Sequence, residues 1–399
     1  MASKTVLPAV AAGHDLADLS IATVGGLALA FTLLFLCVLP LTNIAGERDF
    51  VVFWATGQQL VHHADPYDKP AMTGIERAAG LPPIYDVGFM RNLPWALPMA
   101  LPLGFIGLRA AAFLWSLILL ACLLASVRIL WQMHGSPKNQ IHWLGLSFAS
   151  ALLSLAMGQT SLLALLGYVL FLRLHTSRPF LAGAALWLCA LKPHLFLPFG
   201  IVLLAWVLVC KSYKVLAGLV AAIAVSVALT WCIDPAAFSG YAQMMRSTAF
   251  VNEFIPCLSV ALRFWLSRPS MWIQCILPAA GCLWALGYYW SRRKQWDWLR
   301  HGSLLLLVSL AAAPYFWLYD GGLAIPALLH GAYRTGSRKM LVLLAFASLL
   351  IEAELIGGLK IPSICFLWTA PAWLAWYLYA TGSRAMRAKQ AADRAEVEG

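Results

Sequence analysis

The chain has 399 residues, 61% of them hydrophobic and only 11% charged, against roughly 25% charged in a soluble domain. Apolar runs approaching the ~20 residues of a spanning helix recur to its end, which excludes a soluble enzyme and predicts an all-α polytopic membrane protein surrounded by membrane lipids. The formal net charge of +11 gathers at the ends of those runs, where it sets topology, and forms no stripe along which nucleic acid could lie.

Lys and Arg clusters mark the cytoplasmic side, and they order the elements. The first run, about 21–43, is too long for a signal-peptide core and is flanked by Asp15 and Asp18 rather than by bases. It reads as a retained anchor that leaves the cytoplasm. A long outer loop follows over 44–107. Its part 44–90 sets Glu47, Asp49, Asp65, Asp68, Glu76 and Asp86 against Arg48, Lys69 and Arg77. Residues 92–106, broken by Pro94, Pro98 and Pro102, read as a re-entrant or surface segment, tolerated only where protein or water satisfies the freed backbone.

Helices are predicted next over 109–131, 143–157 and 161–173. The runs 179–191 and 195–210 are separated by Lys192-Pro193-His194, and a further helix covers 215–232. A second outer loop spans 233–268, and helices then fill 270–290, 301–315, 321–333, 340–357 and 361–381. Basic clusters at 128–142, 173–178, 211–214, 292–300, 334–339 and 384–394 all fall inside in this order. It makes one integral-membrane domain, 1–381, of about twelve crossings in the cytoplasmic (inner) membrane, with both termini inside and a tail over 382–399. The nine cysteines are scattered and none forms a CxxC pair, so no disulfide framework or zinc site is expected, and neither a metal nor a cofactor is.

This topology puts Glu47, Asp49, Asp65, Gln159, Lys192, His194 and Asp320 on one side. Two acids two residues apart at a helix mouth, Glu47 and Asp49, suit a general base held away from bulk water; an interfacial acid paired with Arg48 would look the same. Asp65-Pro66-Tyr67-Asp68 fits a turn as well as a binding loop. Lys192 interrupts an apolar run, where a lysine costs ~2.5–3.5 kcal/mol to insert and is by default a functional candidate. With Pro193 and His194 it could cradle a phosphate, or snorkel at a helix end. Asp320 follows Tyr315, Trp317 and Tyr319; an aromatic belt would account for the rings but not for the acid. Gln159 is an amide at a helix end, and Arg263 is a base in a loop where topology calls for none, suited to an anionic headgroup.

The ordered set RDFVVFWATGQQL with ADPYD, GQTSLLALLGYVLFLRL, RPFLAGAALWLCALKPHLFLPF and AAPYFWLYDGGLAIPALL resembles glycosyltransferase family 87, also called DUF2029. The resemblance covers most of residues 48–330. It implies a C-type glycosyltransferase fold and transfer of a hexose, typically mannose, from a polyprenyl-phosphate donor to a lipid or glycan acceptor outside the cytoplasmic membrane. The family's expected base maps to Asp49, its lysine before proline to Lys192, and its late Tyr-Asp pair to Tyr319 and Asp320. The chain departs from the family over Phe89-Met90-Arg91-Asn92-Leu93-Pro94, where an aromatic-x-Tyr-Pro-Pro segment is usual, and at Tyr315, where His often stands.

No Gly-rich nucleotide loop is present, which points to a lipid-linked donor. The expectation is therefore an inverting hexosyltransferase of the cell envelope. Asp49 (with Glu47) serves as base, Lys192, His194 and Arg263 lie at the donor phosphate, and Asp320, Tyr319, Gln159 and Asp65 lie at sugar or acceptor. A transporter or flippase of a lipid-linked saccharide is the alternative, and it predicts inverted repeats.

Overall fold

The computed structural model describes residues 49–81, 88, 90–139, 141–247, 250–335, 337–356 and 362–382. The expected first helix, Glu47 and the tail beyond 382 lie outside these residues. All regular structure among the described residues is helical.

The first loop opens with α1, Phe50–Val61, and the amphipathic α2, Lys69–Ala78. Met72 and Glu76, four residues apart, share the buried face of α2. Residues 92–106 form a 3-10 turn, Pro94–Ala96, and a short helix α3, Leu97–Gly104. Gly57 of α1 and Gly104 of α3 touch backbone to backbone, so that a Cβ on either would strike the other's chain. The carbonyls at the end of α3 find side-chain donors on α1: Gln58 Nε2 donates to Gly104 O at 2.6 Å, and Trp54 Nε1 to Ile106 O at 2.9 Å.

The bundle follows as α4 Leu108–Met133, α5 Ala149–Met157, α6 Ser161–Leu174, α7 Pro179–Ala185, α8 Leu197–Val209 and α9 Tyr213–Ile233. The second loop carries α10 Ala237–Ser247 and α11 Leu258–Leu266. Then come α12 Ile276–Arg292, α13 Trp298–Ala311, α14 Ile325–Thr335 and α15 Arg338–Ile356, with a last helix, α16, over 369–382.

Among the described residues, three helical stretches are long and apolar enough to cross a membrane by themselves: Leu108–Met133, Tyr213–Ile233 and Met271–Gln295. The pair 179–191 and 193–209 makes a fourth only as a broken element, bent by 120°. The expected twelve crossings therefore exceed the clear spans. Charge alternation counted every apolar run between basic clusters as a crossing, whereas several are short: 143–157 is a 3-10 turn, Ile141–Gly145, plus the nine-residue α5. The outer surface is nonetheless one that avoids water. Phe113, Leu117 and Leu124 on α4, Val225 and Leu229 on α9, and Leu283 on α12 are all exposed, an apolar coat suited to lipid.

One end of the bundle is closed by aromatic rings. Trp298 at the start of α13 meets Phe171 of α6 and Trp206 of α8 edge-on at 5.1 and 5.5 Å. His134, just past α4, stacks on Tyr333 of α14 at 5.1 Å and lies against His142. These contacts gather the basic stretches 128–142, 173–178, 292–300 and 334–339 at the same ends of their helices.

Candidate active site

At the other ends of those helices a polar chain runs through the apolar core. Asp49 stands at the N-terminus of α1, where an aspartate ordinarily caps the free backbone N–H groups. It makes no such cap bond. Its carboxylate instead turns to Gln159, whose Nε2 donates to Asp49 Oδ2 at 2.7 Å. The positive end of the α1 dipole favours the ionised carboxylate there. Burial is the larger influence and raises the Asp49 pKa above its ordinary value, against the Gln159 bond and the charges of Lys192 and Arg91, which lower it.

Gln159 is held in place by its neighbour. Gly158 ends α5 in the left-handed region, φ +75°, which costs a glycine little. Its carbonyl accepts Trp115 Nε1 at 2.7 Å, and a Cβ there would lie 2.7 Å from Phe50 Cβ. The start of α1 thus presses on the turn after α5, and Asp49 and Gln159 meet.

Lys192 comes from the break between α7 and α8. A residue before proline is pushed out of the helical region, and Lys192 has φ −134° and ψ 63°. The carbonyls freed by the break are taken up from the first loop: Asn92 Nδ2 donates to Leu191 O at 2.9 Å and Trp95 Nε1 to Ala190 O at 3.1 Å. Lys192 is 7% exposed, and its ammonium donates to Gln159 Oε1 at 2.9 Å, Ser161 Oγ at 3.1 Å and Asp320 Oδ1 at 2.7 Å. Those three bonds match the three donors an ammonium has.

Asp320 is fully buried. Its Oδ1 also accepts Ser161 Oγ at 2.6 Å, and its Oδ2 accepts the Trp317 N–H at 3.0 Å. Residues 315–320 alternate: Tyr315, Trp317 and Tyr319 are half-buried, while Phe316, Leu318 and Asp320 are buried. Three rings thus line one side of the polar chain. The Lys192 ammonium sits 4.9 Å from the Tyr319 ring centre, and Tyr315 packs edge-on against His194 at 5.4 Å. His194 Nε2 is buried without a hydrogen-bond partner.

The structure therefore brings together Asp49, Gln159, Lys192, Tyr319 and Asp320, with His194 alongside. It does not bring in Asp65 or Arg263. Asp65 lies in an exposed turn, where its Oδ1 accepts the Tyr67 N–H at 2.8 Å: the side chain folds its own loop. Arg263 is 1% exposed and braces the second loop, donating to Val251 O at 2.8 Å, Arg268 O at 2.6 Å and Gln274 Oε1 at 3.0 Å. Its position between two long apolar stretches was legible, but the backbone carbonyls that hold it were not.

Two residues escaped the sequence reading. Ser161 follows Gly158-Gln159-Thr160 by a single position and reads as an ordinary helix start. Arg91, whose charge reaches Asp49, lies in the stretch that departs from the family pattern. Among the described residues no three His, Cys, Asp or Glu side chains group as metal ligands.

The sequence model of glycosyltransferase family 87 matches residues 92–317, a stretch that contains Gln159, Lys192 and His194 and stops just short of Tyr319 and Asp320. No curated protein and no solved structure matches the chain. The match spans more than half of the 399 residues, and the chain belongs to glycosyltransferase family 87.

Proposed function

We propose that the protein is an inverting hexosyltransferase that moves a hexose, mannose by the family resemblance, from a polyprenyl-phosphate donor to a lipid or glycan acceptor on the extracytoplasmic side, within a C-type fold. The observation that carries this reading is the Asp49 carboxylate, set at a helix N-terminus, excluded from capping and held by Gln159. The acceptor oxygen attacks the anomeric carbon as its proton passes to Asp49. The bond from that carbon to the phosphate oxygen breaks, and its electron pair leaves with polyprenyl phosphate. Attack from the face opposite the leaving group inverts the configuration.

A base with a raised pKa takes a proton more readily. Lys192 and Asp320 act at one remove: their buried pair fixes the Gln159 amide so that it donates to Asp49. Half-buried Tyr319 and Trp317, 6.2 Å apart and stacked, offer faces for a sugar ring. The side of the membrane is supported by the basic stretches, which cluster at the helix ends away from Asp49 and mark the cytoplasm.

Membranes containing Asp49→Asn, given labelled polyprenyl-phosphate mannose and membrane acceptors, are expected to transfer at least about a hundredfold more slowly, the lower range for loss of a general base. Transfer at the wild-type rate would remove Asp49 from the mechanism. The Asn variant keeps the Gln159 contact available through its own side-chain oxygen, so its fold is expected to survive.

A further inference from the structure

A departing phosphate needs a cation that can reach it, and the polar chain does not offer one. The Lys192 ammonium is engaged by Gln159, Ser161 and Asp320, and the Arg263 guanidinium by the backbone of its own loop. Arg91 differs. Its side chain is 38% exposed, and Nη1 donates to both carboxylate oxygens of Glu253 at 2.9 Å and to the Tyr315 hydroxyl at 3.4 Å.

The Arg91 backbone is tied to the site. Its carbonyl accepts the Tyr241 hydroxyl at 3.3 Å, and the next residue, Asn92, donates to Leu191 O beside Lys192. Tyr315 also accepts Trp317 Nε1 at 2.9 Å. With two donors on its oxygen, the Tyr315 hydroxyl is left to give its own proton to a further acceptor.

Resting on the reading above, we propose that Arg91, seconded by the Tyr315 hydroxyl, binds the phosphate of the lipid-linked donor, and that Glu253 occupies the guanidinium until the donor displaces it. Carboxylate and phosphate are the two anions a guanidinium recognises best, and they cannot both hold the same edge of it. A half-exposed ion pair is weak in water, so the exchange is easy. After transfer, the carboxylate that competes for Arg91 helps expel polyprenyl phosphate.

The test is binding of undecaprenyl phosphate to the purified full chain in lipid nanodiscs, with undecaprenol and inorganic phosphate as the other probes. Wild-type protein is expected to bind undecaprenyl phosphate above both. Arg91→Ala weakens that binding about tenfold or more and Arg91→Lys less, while Glu253→Gln, which removes the competitor, tightens it several-fold, on the scale of one charged contact. The tightening disappears when Arg91→Ala is added. A gain of affinity cannot come from a protein that fails to fold, so Glu253→Gln guards the result. Unchanged affinity in both Arg91→Ala and Glu253→Gln, with normal wild-type binding, overturns the assignment of Arg91 alone. A wild-type protein that prefers neither phosphate probe overturns the polyprenyl-phosphate donor as well. Equal binding of inorganic phosphate and undecaprenyl phosphate makes the site one for free anion and overturns the lipid-linked assignment.

Discussion

Gln159 shows how one neutral side chain can couple two charges. Its amide N–H₂ faces Asp49 and its carbonyl faces Lys192, so the lysine fixes which way the amide points. A charged residue in place of Gln159 would compete with one partner. The buried Lys192–Asp320 pair is weak evidence for stability, since desolvation offsets much of the attraction; losing one partner alone costs ~3–5 kcal/mol because the other charge is stranded. The pair fits better as a fixture for the amide. This gives a signed pH prediction. Burial raises the Asp49 pKa and the Gln159 bond lowers it. A base works only when ionised, so transfer is present above that pKa and lost as pH falls through it. Gln159→Leu removes the lowering contact, and the acidic limb of the rate profile is expected to move to higher pH. A fall in rate with an unmoved limb would show that Gln159 only supports the fold.

At the scale of elements, the site is an outcome of interrupted helices. The end of α5, the break between α7 and α8, and the 3-10 segment Leu318–Ala324 each deliver one polar residue to the same place. Gly158, at the first of these joints, has a left-handed backbone. A Cβ at φ +75° costs of order 1–3 kcal/mol, and here it would also collide with Phe50, the first residue of α1. Gly158→Ala is expected to lower thermal stability by that amount and to depress transfer further, because the displaced start of α1 carries Asp49. Melting curves and rates on the same preparation separate the two effects; a normal rate in a destabilised protein would uncouple α1 from the site.

These joints were partly legible. A lysine beside a proline in an apolar run, and an acid after an aromatic cluster, stand out because insertion energetics make them costly. The turn at Asp65 was one of the two readings its sequence offered, whereas the brace role of Arg263 did not stand out, because it is set by nearby backbone groups that polarity alone does not reveal. The crossing count went beyond the clear spans for a related reason: charge alternation records where chains turn, not whether the segment between is long enough to span.

At the scale of the whole molecule, the site is recessed rather than superficial. Trp115, which stacks on Phe53 at 5.8 Å and bonds to Gly158, lies seven residues into α4, about 10 Å below its start at 1.5 Å per residue. The helix α1 runs outward from there, and its far end leads to the exposed turn at Asp65. The two loops expected outside meet above the site, through Tyr67 against Tyr241 at 6.0 Å and Arg91 against Glu253. The basic stretches lie at the opposite helix ends, and they fix the sidedness prediction. In a cysteine-free background, Asp65→Cys is expected to react with a membrane-impermeant maleimide on intact cells. Lys138→Cys and Arg178→Cys, at exposed positions in two basic stretches, are expected to react only after permeabilisation. If all three label from the same side, the two ends of the bundle do not face opposite compartments. If the pattern is reversed, Asp49 opens to the cytoplasm, and a donor presented on the outer leaflet is ruled out.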